Sequence, residues 1–245
     1  MKKVILITGT RKGIGRYLCD YYLSKDLIVI GCSRGSSDLK DPDYTHYCLD
    51  ISDEVDVKNM FTDIRSKYGR LDFLINNAGV ASMNHSLLTP IKTVKKILDT
   101  NVVGNFMFSR EAAKLMKKNK FGRIINFVTF AIPFKLEGEA IYAASKAAVV
   151  TLTEILSREY APFNITVNAV GPPAVQTDLI KGVARDKMDK LIKKQSIQRF
   201  GTPKEVASVI DFFLKEENDM VNGQTIYMGG LWWSQNIFMR YLIII

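Results

Sequence analysis

The sequence predicts an α/β protein with a mostly parallel sheet covered by helices on both faces. Three observations predict it: short apolar β-branched runs, their alternation with longer helical patterns, and a glycine-rich turn directly after the first run. Val4-Ile5-Leu6-Ile7 lacks polar alternation, as expected of a strand buried on both faces. Strands are read near residues 3–8, 27–32, 45–49, 72–76, 123–128, 164–170 and 224–228. Helices are read near 13–25, 53–68, 90–119, 140–161, 177–195 and 203–215. The fourth strand carries Phe73-Leu74-Ile75, and Thr202 with Pro203 makes a cap and first turn for the last helix. No linker, repeat or low-complexity segment divides the chain. Residues 1–230 are therefore expected to form one domain, followed by an apolar tail, 231–245.

Composition narrows the function classes. A chain of 245 residues with 47% hydrophobic residues can bury a sizeable core as one domain. No apolar run is read as reaching the ~20 residues that span a bilayer, and the apolar stretch after Met1-Lys2-Lys3 is too short for a signal peptide. Cys19, Cys32 and Cys48 are odd in number and lack metal spacing, which suggests a reduced, cytoplasmic protein. His46 and His85 are isolated, so no metal site is expected. The net charge of +9 gathers at residues 92–96, 114–123 and 181–194. No nucleic-acid motif accompanies these clusters. They are read as solvated helix faces, with attraction of an anionic cofactor or substrate as a second reading.

Two motifs carry the chemistry. Thr8-Gly9-Thr10-Arg11-Lys12-Gly13-Ile14-Gly15 lies between a strand and a helix, the context a dinucleotide phosphate requires. Tyr142-Ala-Ala-Ser-Lys146 places a phenol and an ammonium four apart, on one helical face. An ammonium beside a phenol favours the phenolate and lowers the tyrosine pKa, giving a proton donor and acceptor for carbonyl reduction or alcohol oxidation.

Together with four further segments, these motifs make the chain resemble the compact short-chain dehydrogenases/reductases, most of all 3-oxoacyl-carrier-protein reductases. The segments are Asn76-Asn77-Ala78-Gly79, Asn101 within Asp99-Thr100-Asn101-Val102, Ile165 to Pro172, and Asn222 to Ile226. The resemblance spans roughly residues 3–230. It implies a Rossmann-type doubly wound sheet of seven strands, with the cofactor across the carboxyl ends. It implies that Gly9, Arg11, Lys12, Gly13, Ile14 and Gly15 seat the pyrophosphate. Asp50 and Ile51 would flank the adenine, Asn77, Ala78 and Gly79 would line the floor, and Pro172 and Thr177 would reach the nicotinamide end. Tyr142 would protonate the substrate oxygen. Lys146 would acidify it and hold the nicotinamide ribose, and Asn101 would keep a water in a relay to solvent. Thr129 stands where the family carries serine; its hydroxyl can still donate to a developing oxyanion.

Charge bears on the cofactor. Ser33 stands at the end of the second strand, where NAD-specific proteins need a carboxylate. Arg34 follows it, and Lys12 precedes the second glycine of the turn, so NADP is favoured over NAD. The substrate is a small carbonyl or alcohol, its identity left open. Phe130, Ile132, Pro133 and Phe134 either narrow its pocket or pack the core. Phe163 stands where carrier-binding members commonly present a basic residue, and Pro173 replaces a glycine. A homo-oligomer, dimer or tetramer, is implied by the resemblance, the tail packing across an interface or onto its own subunit. A catalytically weak nucleotide-binding regulator, motivated by Thr129 and Pro173, is the alternative.

Overall fold

The computed structural model describes residues 2–177 and 185–230, with side chains from residue 188 onward in the second stretch. The tail 231–245, and the part of the helix expected at 177–195 that covers 178–184, lie outside them. Seven parallel strands form one sheet in the order β3-β2-β1-β4-β5-β6-β7: β1 Val4–Thr8, β2 Ile28–Ser33, β3 Tyr44–Cys48, β4 Phe73–Asn76, β5 Gly122–Phe127, β6 Ile165–Gly171 and β7 Thr225–Tyr227. The helices are α1 Gly13–Leu23, α2 Glu54–Tyr68, α3 Ile91–Leu98, α4 Asn105–Asn119, α5 Ala131–Phe134, α6 Ala140–Tyr160, α7 Arg185–Lys193 and α8 Pro203–Leu214.

The central strand explains why both faces are apolar. Val4 and Leu6 join a cluster with Val57, Phe61 and Phe108 of α2 and α4. Ile5 and Ile7 point the other way, to Leu18 of α1 and Ile210 of α8. Alternation sends successive side chains to opposite faces, and both faces are covered. The order turns around between β1 and β4, both starting from the middle of the sheet, and a crevice opens at their carboxyl ends.

Several expectations are corrected. The helix expected over 90–119 is interrupted at Asp99–Gly104, where the chain takes a π-helical turn. Gly104, at its end, lets Ile51 approach closely: a Cβ there would lie 2.9 Å from the Ile51 side chain. Thr177 is not helical, and the described part of its helix begins at Arg185. Arg123 is not a solvated surface charge but 1% exposed, paired with Asp219 and stacked on Phe121. The stretch Ala140–Phe163 is long and apolar enough to cross a membrane by length and composition. Its apolarity is used inside the fold, where Val149 and Leu156 are buried. Thr202 and Glu205 form a reciprocal capping box on α8, fixing where that helix starts.

Candidate active site

A cleft of about 630 Å³ runs along the carboxyl ends of β1, β2, β4, β5 and β6. Of the catalytic and cofactor-binding residues expected from sequence, all but Gly15 and Asn101 line it; of the bulky segment after Thr129, Phe130 does and Ile132, Pro133 and Phe134 do not.

At one end lies the glycine turn. Gly9 has φ +76°, and a Cβ there would lie 2.9 Å from Ala78 Cα and from the Asn77 amide nitrogen. That amide donates to the carbonyls of Thr8 (2.8 Å) and Gly9 (3.3 Å), while Ala78 N–H donates to Thr8 Oγ1. Asn77 therefore clamps the turn to the loop after β4 as well as facing the cleft. Gly15 lies beneath; a Cβ there would meet the Gly9 carbonyl oxygen at 2.3 Å. No side chain caps α1, and its first turn holds no acid. Orphan N–H groups at a positive helix end, reached through close-approach glycines beside Arg11 and Lys12, fit a pyrophosphate.

At the end of β2 the Ser33 hydroxyl donates to the Gly35 carbonyl at 2.7 Å. Arg34 and Gly35 line the cleft, and a Cβ on Gly35 would lie 2.8 Å from Arg11 Nη1. Arg11 therefore adds its charge to this corner, a partner the reading of Lys12 and Arg34 overlooked. Asp50 stands below its usual carboxylate range. Burial opposes that, but the Ser52 hydroxyl and N–H bonds and the charges of Arg34 and Lys96 outweigh it.

At the far end are Thr129, Tyr142 and Lys146. Thr129 is buried just beyond β5, its Oγ1 accepts from Ala131 N–H at 3.2 Å, and its hydroxyl lies near enough to Tyr142 to favour the phenolate. Lys146 is 4% exposed, and its Nζ donates to the Phe127 carbonyl at 2.8 Å. Burial lowers its pKa to about 8. Burial also pushes Tyr142 up to about 12, against the pull of the Thr129 hydroxyl and with the Glu139 charge. The amine does not acidify the phenol as expected: Lys146 is not among the causes that shift Tyr142, and desolvation disfavours the charged forms of both groups.

Asn101 sits behind the cleft wall, 1% exposed on the π-helical turn. Its Nδ2 donates to Val80 O (2.9 Å) and Ser145 Oγ (3.0 Å), and its Oδ1 accepts from Val80 N–H (2.9 Å). Its side chain therefore ties the loop after β4 to α6. Gly79 must be small here, because a Cβ would lie 3.3 Å from both Asn101 Oδ1 and Lys146 Nζ. Phe130 lines the cleft with its ring 6.0 Å from Phe134, while Ile132 packs on the cluster of Val128, Val149 and Ala169. The bulky segment thus serves both purposes. Among the described residues no group of His, Cys, Asp and Glu could hold a metal ion.

Comparison with known proteins follows the same lines. Residues 3–188 match the family model described as short chain dehydrogenase. The chain is 29% identical over 234 residues to the 3-oxoacyl-[acyl-carrier-protein] reductase of Salmonella typhimurium, covering 93% of this chain and 96% of that one. The solved structure of ElxO with NADP bound is similar at a TM-score of 0.86 and 30% identity, covering 93% and 97% of the two chains. That of 4-hydroxyisoleucine dehydrogenase complexed with NADH is similar at 0.85 and 28%, covering 95% and 99%.

Proposed function

The chain belongs to the short-chain dehydrogenase family, and from that premise we propose that it is an NADP(H)-dependent oxidoreductase interconverting a carbonyl and a secondary alcohol. The observation that carries this reading is the convergence of Thr129, Tyr142 and Lys146 in one cleft with an uncapped, glycine-cradled helix end. A bound nicotinamide supplies or accepts the hydride. The residues supply the rest. Gly9, Gly13 and the first turn of α1 hold the pyrophosphate, and Arg11, Arg34 and Ser33 face the adenosine ribose. Tyr142, held protonated by burial, donates to the substrate oxygen in reduction, and Thr129 orients its hydroxyl. Lys146 keeps a proton-bearing nitrogen beside the ribose end of the cleft. Asn101 fixes the loop carrying Val80 against α6.

NADP over NAD is supported by the absence of an acid at Ser33 and by the cations of Arg11 and Arg34. ElxO was solved with NADP and 4-hydroxyisoleucine dehydrogenase with NADH, which supports a nicotinamide cofactor in either form. A cytoplasmic setting is supported by three free cysteines. A homo-oligomer is supported by the exposed apolar side chains Val103, Phe106 and Ile155 along the π-helical turn, α4 and α6. The placing of Thr129 beside Tyr142 in one cleft counts against a mere nucleotide-binding regulator, since a threonine hydroxyl can donate there as a serine would.

The test is NADPH oxidation followed by absorbance across a panel of ketones, acyl thioesters and keto-sugars. Turnover on at least one, lost by about 10²-fold or more in Tyr142→Phe with NADPH binding retained, is the expected result. Tight NADPH binding without turnover on the whole panel would overturn the oxidoreductase reading in favour of the regulator.

A further inference from the structure

We infer that His46, outside the cleft lining, is a positioning residue that sets the preference for a cofactor carrying a 2′-phosphate, by leaving the Ser33 hydroxyl able to donate into the cleft. The inference rests on the NADP reading above and deepens it.

His46 lies on β3, in register with Gly31 of β2. Its Nε2 is 3.0 Å from the Gly35 carbonyl and 3.1 Å from Ser33 Oγ. Its Nδ1 is 2.9 Å from the Tyr44 hydroxyl. A carbonyl can only accept, so Nε2 carries the proton, and Nδ1 faces the Tyr44 hydroxyl and, at 3.5 Å, Thr10 Oγ1, with the Tyr44 hydroxyl itself 3.4 Å from Thr10 Oγ1. Gly31 makes this possible. A Cβ there would lie 2.4 Å from the Tyr44 hydroxyl oxygen and 2.6 Å from Thr10 Oγ1, displacing the group that orients the ring.

The consequence falls on Ser33. Its own proton goes to the Gly35 carbonyl at 2.7 Å. Were that carbonyl's only donor the serine, turning the hydroxyl toward a ligand would orphan it. With His46 Nε2–H already on the same carbonyl, the Ser33 proton can turn into the cleft at little cost. There it meets Arg34 and Arg11, and a phosphate oxygen would accept from all three. A ribose 2′-hydroxyl offers only a neutral acceptor and gains far less from the same donor. Asp38, the nearby acid in sequence, is taken by Arg16 and does not compete for this corner.

The experiment is calorimetric titration of the full chain with NADP⁺ and with NAD⁺, for the wild type and for His46→Leu, His46→Gln and His46→Asn. We expect His46→Leu to weaken NADP⁺ about tenfold and to leave NAD⁺ within about twofold. His46→Gln, whose amide N–H reaches the Nε2 position, restores NADP⁺ to within about threefold; His46→Asn, whose amide ends nearer Nδ1, does not. An equal loss for both cofactors, or an unchanged ratio in His46→Leu, overturns the proposal while leaving the cofactor reading intact. If His46→Leu does not fold, the contrast between Gln and Asn decides: equal ratios overturn the proposal. A wild type that binds NAD⁺ as tightly as NADP⁺ overturns the cofactor reading itself, before any variant is made.

Discussion

Tyr142 and Thr129 stand together at the cleft wall, and Lys146 stands one helical turn on with its nitrogen tied to the Phe127 carbonyl. Burial governs the titration of both ends of this pair. Tyr142 stays a phenol at neutral pH, which suits a proton donor. If Thr129 orients that donor, Thr129→Val lowers kcat by about 10–100-fold, Thr129→Ser keeps most of it, and cofactor affinity moves little, as steady-state kinetics with titrations will read. Lys146 carries a stability signature. Its pKa is depressed to about 8 in the fold, against about 10.4 in an unfolded chain. Between those values the unfolded chain binds more protons, so the Lys146 contribution is present above the unfolded value and is lost as pH falls through the folded one. Relative to Lys146→Met, the wild type should gain roughly 3 kcal/mol between pH 7.5 and 11. Urea midpoints at the two pH values check it, and a pH-independent difference would reject a buried, titrating amine.

Two elements hold the reactive groups in place. The first is the turn from β1 into α1. A Cβ on Gly15 would stand 2.3 Å from the Gly9 carbonyl, a backbone atom that cannot swing aside. Gly15→Ala must therefore move the turn, with an expected loss of about 1–3 kcal/mol in stability and of most NADPH affinity, read by thermal unfolding with and without cofactor. The second is the π-helical turn Asp99–Gly104, which puts Asn101 opposite Val80 and Ser145. The motif containing Asn101 was legible as sequence. The turn was not, because one extra residue in a helix leaves the apolar periodicity of its flanks nearly unchanged.

Across the molecule, the strand order places the turnaround between β1 and β4, and most residues named from sequence line the cleft above it. The π-helical turn, α4 and α6 keep Val103, Phe106 and Ile155 exposed at 44%, 37% and 49%. If these side chains join subunits, Phe106→Glu yields a smaller species in light scattering at micromolar concentration, with the far-ultraviolet spectrum unchanged. An unchanged mass would remove Phe106 from the proposed interface.

By itself the sequence determined the strand and helix order, the glycine turn and the Tyr142–Lys146 pair, because buried strands, tight turns and helix spacing write local, periodic patterns; Thr129 was legible only through the resemblance to the family. Only the tertiary structure decided which charges and hydroxyls meet. Arg123 became a buried ion-pair partner, Arg11 came to lie against Gly35, and His46 came to stand behind Ser33 from a different strand. It also decided the sign of the Tyr142 shift. Desolvation depends on everything packed around a group from distant parts of the chain, and no local spacing encodes that.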